Sequence, residues 1–295
     1  MLGSMVVDYM ESRQDIELSA TVRSDHLAAL GRAQLPGVTW HVVDFDGIND
    51  QAKLSNLGSF DWIINAIGIT KPLIDESDFE SVERATNVNI GLPIALARYS
   101  RDTKTHVLQI ATDCVFSGLD GSYSESSPHD ALDVYGKSKS MGETPSPFMH
   151  HLRCSIIGPE PKDRKFLIEW LLGQPKGAGV TGFTDHLWNG VTTLQFAEVA
   201  SGIVTGGSDI PLLHHLVPLD SVNKATLLNI IATAHGRNDI TVSDKATGNS
   251  NDRTLRSEHA EANTDLWARG GHDIPPKISE MVQDVSNYNL RLKFD

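Results

Sequence analysis

The sequence predicts an α/β fold, a doubly wound parallel sheet with a smaller C-terminal part, and three observations carry the prediction. Apolar strand-like runs alternate with helix-period stretches from about residue 15 to residue 158, and strands that alternate with helices form parallel sheets covered on both faces. The strand-like runs close on Asp44, Asn65, Gly68 and Thr112, and in open parallel sheets ligands bind beyond the carboxyl ends of the strands. From about residue 159 the alternation becomes irregular, which separates residues 1–160 from 161–295, with a segment near 190–225 expected to return to the first part.

The elements follow in order. MLGSMVVDYMES reads as a helix with Leu2, Met5 and Val6 on its apolar side, and no strand precedes it. Strands are expected at 15–24, 38–46, 62–68, 105–113 and 148–158. Helices are expected at 26–34, 79–100 and from Asp133, with a weak one at QAKLSNLGS. Beyond them come the irregular segment EPKDRKF, a helix FLIEWLLG and a Gly-rich loop PKGAGVTGFTDHLWNG. Thr192 with Gln195 three residues later resembles a capping box that opens a helix. A strand at 212–218, a helix at 221–236, a short strand DITVSD and a last helix around 277–285 complete the chain.

With 295 residues and 40% hydrophobic content the chain can form a large core. No run of eighteen apolar residues occurs, and Asp8 and Glu11 fall too early for a secretory signal, so a cytoplasmic protein without a membrane partner is expected. Thirty-eight acidic against 25 basic residues give a net charge of −13, which opposes non-specific binding to nucleic acid. Cys114 and Cys154 are too few for a disulfide framework and lack metal-ligand spacing. His150 with His151, and His214 with His215, alternate faces in a strand and cannot share one metal, so no metal site is expected.

Chemistry concentrates in residues 111–143, ATDCVFSGLDGSYSESSPHDALDVYGKSKSMGE. Tyr135 and Lys139 stand at i and i+4, on one face of a helix, downstream of a Thr that ends an apolar run. An ammonium close to a phenol favours its ionisation, so such a pair can exchange a proton near neutrality. A Tyr and a Lys on a solvated helix face would give the same spacing.

The wider context narrows that choice. ATDCVFSG, SYSE and DVYGKSKSMGE resemble the STDxVFxG…YxE…YGxSKxxGE pattern of the dTDP-4-dehydrorhamnose reductase branch of the extended short-chain dehydrogenases. VDFDGIND resembles that family's adenine-side loop, INAIG its NAAA segment and NVNIGLPIALA the helix that follows. The resemblance implies a Rossmann-like NAD(P)-binding domain in residues 1–160, a substrate-binding part after it, and reduction of a nucleotide-linked 4-keto-deoxysugar. It makes Tyr135 the proton donor, has Lys139 lower the phenol's pKa and hold the nicotinamide ribose, and has Thr112 bind the substrate carbonyl. Asp44 and Phe45 would lie at the adenine, and Asn65, Ala66 and Gly68 would pass under the cofactor.

Departures from the pattern are informative. Of the family's GxxGxxG only the last glycine, Gly3, is present, and the strand before it is absent. Those glycines make the turn that brings pyrophosphate to the helix N-terminus, and the strand belongs in the middle of the sheet. The chain is therefore expected to be a fragment or to start at an internal Met. Where the reductases read RTSWVY, Arg153 to Gly158 read RCSIIG, which removes a substrate-facing aromatic, and Cys114 stands where many relatives have an aromatic.

Arg23 closes the second strand of the family pattern, where NAD-specific folds place an acid, so NADP is the expected cofactor, with NAD as the alternative. Arg153 and Arg253 are candidates for a substrate diphosphate and Trp188 for a wall of the sugar pocket, each with a purely structural alternative. Competing readings are a non-catalytic sugar-nucleotide-binding or regulatory subunit, and an epimerase or dehydratase, for which Asp113 is the nearest extra acid or base. A nucleotide sugar is the expected ligand, and a homodimer is the assembly the reading allows.

Overall fold

The computed structural model describes residues 1–161 and 164–294. Lys162 and Asp163, inside EPKDRKF, and the terminal Asp295 lie outside the described residues. In chain order the first part contains α1 (Leu2–Glu11), β1 (Ser19–Val22), α2 (Asp25–Gln34), β2 (Thr39–Val42), α3 (Gln51–Ser55) and β3 (Trp62–Asn65). It continues with α4 (Phe79–Thr86), α5 (Leu92–Thr103), β4 (His106–Ala111), α6 (Val134–Met141), β5 (Met149–Arg153) and β6 (Ile156–Ile157). Then come α7 (Leu167–Leu172), β7 (Gly179–Phe183), β8 (His186–Trp188), β9 (Val191–Thr192), α8 (Thr193–Gly206), β10 (Leu213–His215) and β11 (Val222–Asn223). The chain closes with α9 (Lys224–Ala234), β12 (Thr241–Lys245), β13 (Asn251–Asp252), α10 (Ala260–Arg269) and α11 (Ile278–Asn287).

The central sheet has the order β10-β5-β4-β3, all parallel, and β10 returns to its edge after the irregular region. One face of this sheet is covered by α1 and α8, through Met5, Met10, Phe196 and Val199. The other face carries α5 and α3 through Leu92, Leu96 and Leu54. Apolar residues on both faces of β4, with Val107 and Leu108 fully buried, are the packing expected of a strand at the centre of a parallel sheet.

β1 and β2 form a separate parallel pair with a small core of their own around Ala20, Ala28, Leu35 and Trp40. Among the described residues no strand lies between β1 and β3, and a cavity of about 810 Å³ opens there. The sheet is therefore split at the position where the family pattern places its first strand. The pieces are held together at the back by the C-terminal tail. Buried Asp8 of α1 accepts hydrogen bonds from the Tyr288 hydroxyl and from the backbone N–H groups of Arg291 and Leu292, and Arg291 also pairs with Glu11.

Several expectations need adjustment. The long helical stretch from Phe79 is interrupted by a wide turn at Asn87–Gly91, where a Cβ on Gly91 would stand 2.6 Å from the Ile48 nitrogen. The strand expected at 148–158 breaks at Cys154 and Ser155 into β5 and β6, which belong to different sheets. The expected Gly-rich loop instead contains β7 and β8. Gly182 in β7 is a packing glycine, since a Cβ there would meet the Ala225 Cα at 2.5 Å and push α9 away. Thr192 caps α8 by accepting the Gln195 N–H, while the Gln195 carboxamide turns to the Thr192 hydroxyl and to Asp284. Helix α10 is not foreseen from the sequence; no side chain caps it, and its Leu266 and Trp267 are buried against the core.

Candidate active site

The end of β4 and the start of α6 build the site. Thr112 continues β4 in an extended conformation, and its hydroxyl accepts the Cys114 N–H at 3.2 Å and donates to Asp113 Oδ1 at 3.2 Å. Asp133 caps α6 by accepting the Gly136 N–H at 2.8 Å, and Lys71 pairs with the same carboxylate at 2.9 Å. The helix can approach β4 because Gly136 lacks a side chain: a Cβ there would lie 2.4 Å from the Cys114 carbonyl oxygen. Gly142 plays the same part against the Asn89 carbonyl, 2.2 Å from where its Cβ would be.

Tyr135 and Lys139 share the inner face of α6. Burial pushes the Tyr135 phenol above its ordinary value, and the Cys114 and Asp113 charges add to the rise, whereas the Thr112 hydroxyl, as its hydrogen-bond partner, opposes it. The phenol is thus a neutral O–H donor at physiological pH. Lys139 Nζ donates to the Ile110 carbonyl at 2.8 Å, and burial lowers the ammonium to about 8, with Glu143 and Cys154 opposing. Desolvation is the largest cause of the tyrosine's rise, and the lysine's head is drawn under β4 by the backbone carbonyl.

Around this trio lie residues that the sequence did not single out. Asn89 is buried in the wide turn; its Nδ2 donates to the Ile69 carbonyl and the Ser138 hydroxyl at 3.0 Å each, and its Oδ1 accepts the Ile69 N–H at 2.9 Å. It locks the loop after β3 to α6. Lys224 sits 5.5 Å from the centre of the Trp188 ring, and burial lowers its ammonium, with Asp113 opposing. Asn89 stands in an apolar run, NVNIGLPIALA, where an unmatched amide is the available signal.

The other candidates fall into three groups. Gly3, Phe45, Asn65 and Ala66 line the large cavity, which Thr112, Tyr135 and Lys139 do not. Asn65 is also a structural residue, donating to Gln109 Oε1 at 2.8 Å and accepting the Ile67 N–H. Arg23, Asp44 and Gly68 are exposed; Arg23 has no hydrogen-bond or ionic partner among the described residues, and the Asp44 carbonyl accepts from Lys53. Arg253 joins the active site, donating Nε–H to the Phe116 carbonyl at 2.8 Å within electrostatic reach of Asp113.

Two expectations are corrected. Arg153 is completely buried and bound to Glu143 through two hydrogen bonds, at 3.1 and 2.6 Å, and to His215 and His129. It has no free face for a diphosphate. Burial and the nearby Arg153 charge lower His215 to about 4, so it stays neutral and accepts from the guanidinium. Trp188 is 4% exposed, donates to Ser155 and packs in the main core, so its ring cannot form the wall of an open sugar pocket.

Residues 2–147 match the family described as the RmlD substrate binding domain. No curated protein matches the chain by sequence. Among solved structures, a dTDP-4-dehydrorhamnose reductase from Clostridium acetobutylicum superposes with a TM-score of 0.67 at 18% identity, over 92% of this chain and 98% of that one. The Bacillus anthracis dTDP-4-dehydrorhamnose reductase in complex with NADP gives 0.70 at 14% identity, over 92% and 99%. The Bordetella bronchiseptica enzyme WbmG, in complex with NAD and UDP, gives 0.70 at 13%, over 100% and 93%. Identities this low establish a shared Rossmann-like fold. No helix of the described chain is long and apolar enough to cross a membrane. Residues 2–147, which hold the TDCVF and YGKSK segments at the end of β4 and the start of α6, thus form an RmlD-like domain, and the chain as a whole shares the fold of the dTDP-4-dehydrorhamnose reductases.

Proposed function

We propose that this chain is an NADP-preferring reductase of a nucleotide-linked 4-keto-deoxysugar, similar in activity to the dTDP-4-dehydrorhamnose reductases it resembles in fold. The observation that carries the reading is the neutral, half-buried phenol of Tyr135 beside the Thr112 hydroxyl, with the Lys139 ammonium on the same helix face.

The residues suit a nicotinamide dinucleotide at two places. Lys139 uses one of its N–H donors on Ile110 and keeps the others for ribose hydroxyls. Gly3 lets α1 approach the end of β3, since a Cβ there would already touch the Ala66 Cβ at 3.4 Å, and no side chain caps the helix. The unpartnered Arg23 beyond β1 suits a 2′-phosphate, which favours NADP over NAD. When bound, the cofactor supplies the hydride.

The chain's own part is to orient the ketone and protonate it. Tyr135 donates a hydrogen bond to the carbonyl oxygen, joined by Thr112 once its hydroxyl proton turns there from Asp113 Oδ1, which polarises the C=O bond, and as the alkoxide develops the Tyr135 proton moves to it to give the alcohol. Lys139 stabilises the phenolate left behind. Arg253, with donors beyond the one used on Phe116, is placed for an anionic group of the substrate.

The test is NADPH oxidation with a dTDP-linked 4-keto-6-deoxyhexose, for the chain and for Tyr135→Phe. A fall in turnover of about 100-fold or more with unchanged cofactor affinity is expected, because a positioned acid contributes on that order. Equal turnover in the variant removes Tyr135 from the role. The split sheet favours a second reading, a non-catalytic sugar-nucleotide-binding protein, for which nucleotide-sugar binding persists and turnover is absent in both forms.

A further inference from the structure

Residues 251–258 cross from the second part of the chain to the loop that follows Thr112, and they carry Arg253 with them. Asn251 and Asp252 form β13 beside β8, in parallel register with His186 and Leu187. From there the strap runs along residues 116–126. The Asp252 N–H donates to the Gly118 carbonyl at 2.8 Å, the Tyr123 N–H to the Thr254 carbonyl at 2.9 Å, and the Arg256 N–H to the Tyr123 carbonyl at 2.8 Å. Leu255 is 5% exposed and packs with Val115, Phe116 and Tyr123. A side chain on Gly118 or Gly121 would run into Asn251 or Asp252, so the loop is shaped to receive the strap.

Arg253 lies between two fixed points. One is Asp252, whose Oδ1 accepts the Thr254 N–H at 2.9 Å. The other is Leu255, whose N–H donates to Asn189 Oδ1 at 2.9 Å and whose carbonyl accepts from Asn189 Nδ2 at 2.6 Å. A carboxamide carries the donor and the acceptor of a peptide group, so Asn189 serves Leu255 as a strand neighbour would. Asn189 is itself held on both sides: Trp188 is anchored in the core and donates to Ser155 at 2.9 Å, and a Cβ on Gly190 would strike the Ser155 carbonyl. The guanidinium so placed gives its Nε–H to the Phe116 carbonyl, and its terminal N–H groups make no hydrogen bond among the described residues.

We propose that Asn189 is a positioning residue: by closing the strap on Leu255 it holds the Arg253 guanidinium where its free N–H groups meet the diphosphate of a nucleotide sugar. Both polar atoms of Asn189 are engaged by Leu255, so it acts through the strap. Displacing a guanidinium by a fraction of an ångström is enough to weaken two-point binding of a phosphate. The ligand given to Arg253 rests on the reductase reading, whereas its placement by Asn189 does not.

The test compares the unaltered chain with Asn189→Ala, Arg253→Leu and the double variant, and reads two quantities. The first needs no ligand. Hydrogen exchange at the Arg253 Nε–H, identified by the loss of its resonance in Arg253→Leu, is expected to quicken by about ten-fold or more in Asn189→Ala. The β4 amides of Val107 and Leu108 keep the parent's exchange and report an intact fold. Asn189→Asp, which keeps the acceptor for the Leu255 N–H and loses the donor, is expected to fall between the two and decides the matter if the alanine variant does not fold. The second quantity is calorimetric affinity for dTDP. It is expected to weaken about ten-fold in Asn189→Ala and in Arg253→Leu, the size of one charge-assisted hydrogen bond, with the double variant binding no worse than Arg253→Leu alone. Unchanged exchange at the Arg253 Nε–H, or a loss of dTDP affinity that adds in full to that of Arg253→Leu, overturns the proposal. A parent that does not bind dTDP, with an Nε–H that still responds to Asn189, upholds the placement and overturns the nucleotide-sugar reading instead.

Discussion

The two halves of the sheet are built to different standards. On the β3-β4-β5-β10 side every strand has a neighbour, both faces are covered, and the proposed proton-donating residues stand beyond the end of the largely buried strand β4. On the β1-β2 side a two-stranded pair holds a small core of its own and faces a cavity. A two-stranded unit is marginal by itself; this one is kept in place by α2, by the tail residue Leu292, and by the Asp8 contacts that fasten the tail to α1. The proposed proton donor thus lies on the complete half, and Arg23 and Asp44, the residues proposed for the 2′-phosphate and the adenine, lie on the incomplete one.

The largest test of this contrast is Arg153→Leu. Arg153 is the centre of a buried network on the complete half, and its removal leaves Glu143, which is about 10% exposed at its side chain, without its cation. Breaking one partner of a buried pair costs about 3–5 kcal/mol, which denaturant unfolding would register. A cost below about 1 kcal/mol would mean that the guanidinium is not structural, and would reopen the phosphate-binding role denied to it above.

A matched pair of truncations comes next. Leu108→Ala in β4 removes a fully buried side chain and is expected to cost about 2–5 kcal/mol. Val22→Ala in β1, where the side chain is partly buried beside the cavity, is expected to cost about 1 kcal/mol or less. Equal losses would show that the β1-β2 pair is as tightly packed as the rest, and the contrast would fail.

What was legible in the sequence follows the same division. The alternation up to β5 was readable because each strand is a short apolar run between turn residues, and the Thr112, Tyr135 and Lys139 set was readable from the fixed spacing that one helical turn imposes. The glycines of 175–190 misled because Gly182 serves helix packing and not a turn. Arg153 and Trp188 misled because sequence gives residue type but not depth: a guanidinium that could bind phosphate satisfies itself on Glu143, His129 and His215, and an indole that could stack on a sugar is consumed by the core. The raised Tyr135 phenol was not legible, because burial, its largest cause, depends on depth, which the sequence does not give.

The smallest effect expected is the most local, and it concerns that lysine. Lys139 titrates at about 8 in the folded chain, below its ordinary 10.5, because burial disfavours the ammonium more than Glu143 and Cys154 favour it. Between these two values the unfolded chain holds the proton more tightly, so this group makes stability rise with pH across about 8 to 10.5, by at most about 1.4 kcal/mol per unit. Below about 8 the buried charge is a constant cost. In Lys139→Met that contribution is expected to vanish: the variant should be the more stable form at neutral pH, and the difference from the parent should shrink as pH rises through the window. The subtraction removes the other groups that titrate there, the raised Cys114 and the lowered Lys224, since both are present in each form. A difference that stays flat with pH would mean that the ammonium is solvated as well in the folded chain as outside it, and that Lys139 is not held under β4 as a pre-placed cation. A variant less stable than the parent at pH 7 would mean that the Ile110 hydrogen bond and the Glu143 charge together outweigh desolvation, which would return Lys139 to the structural network of the complete half.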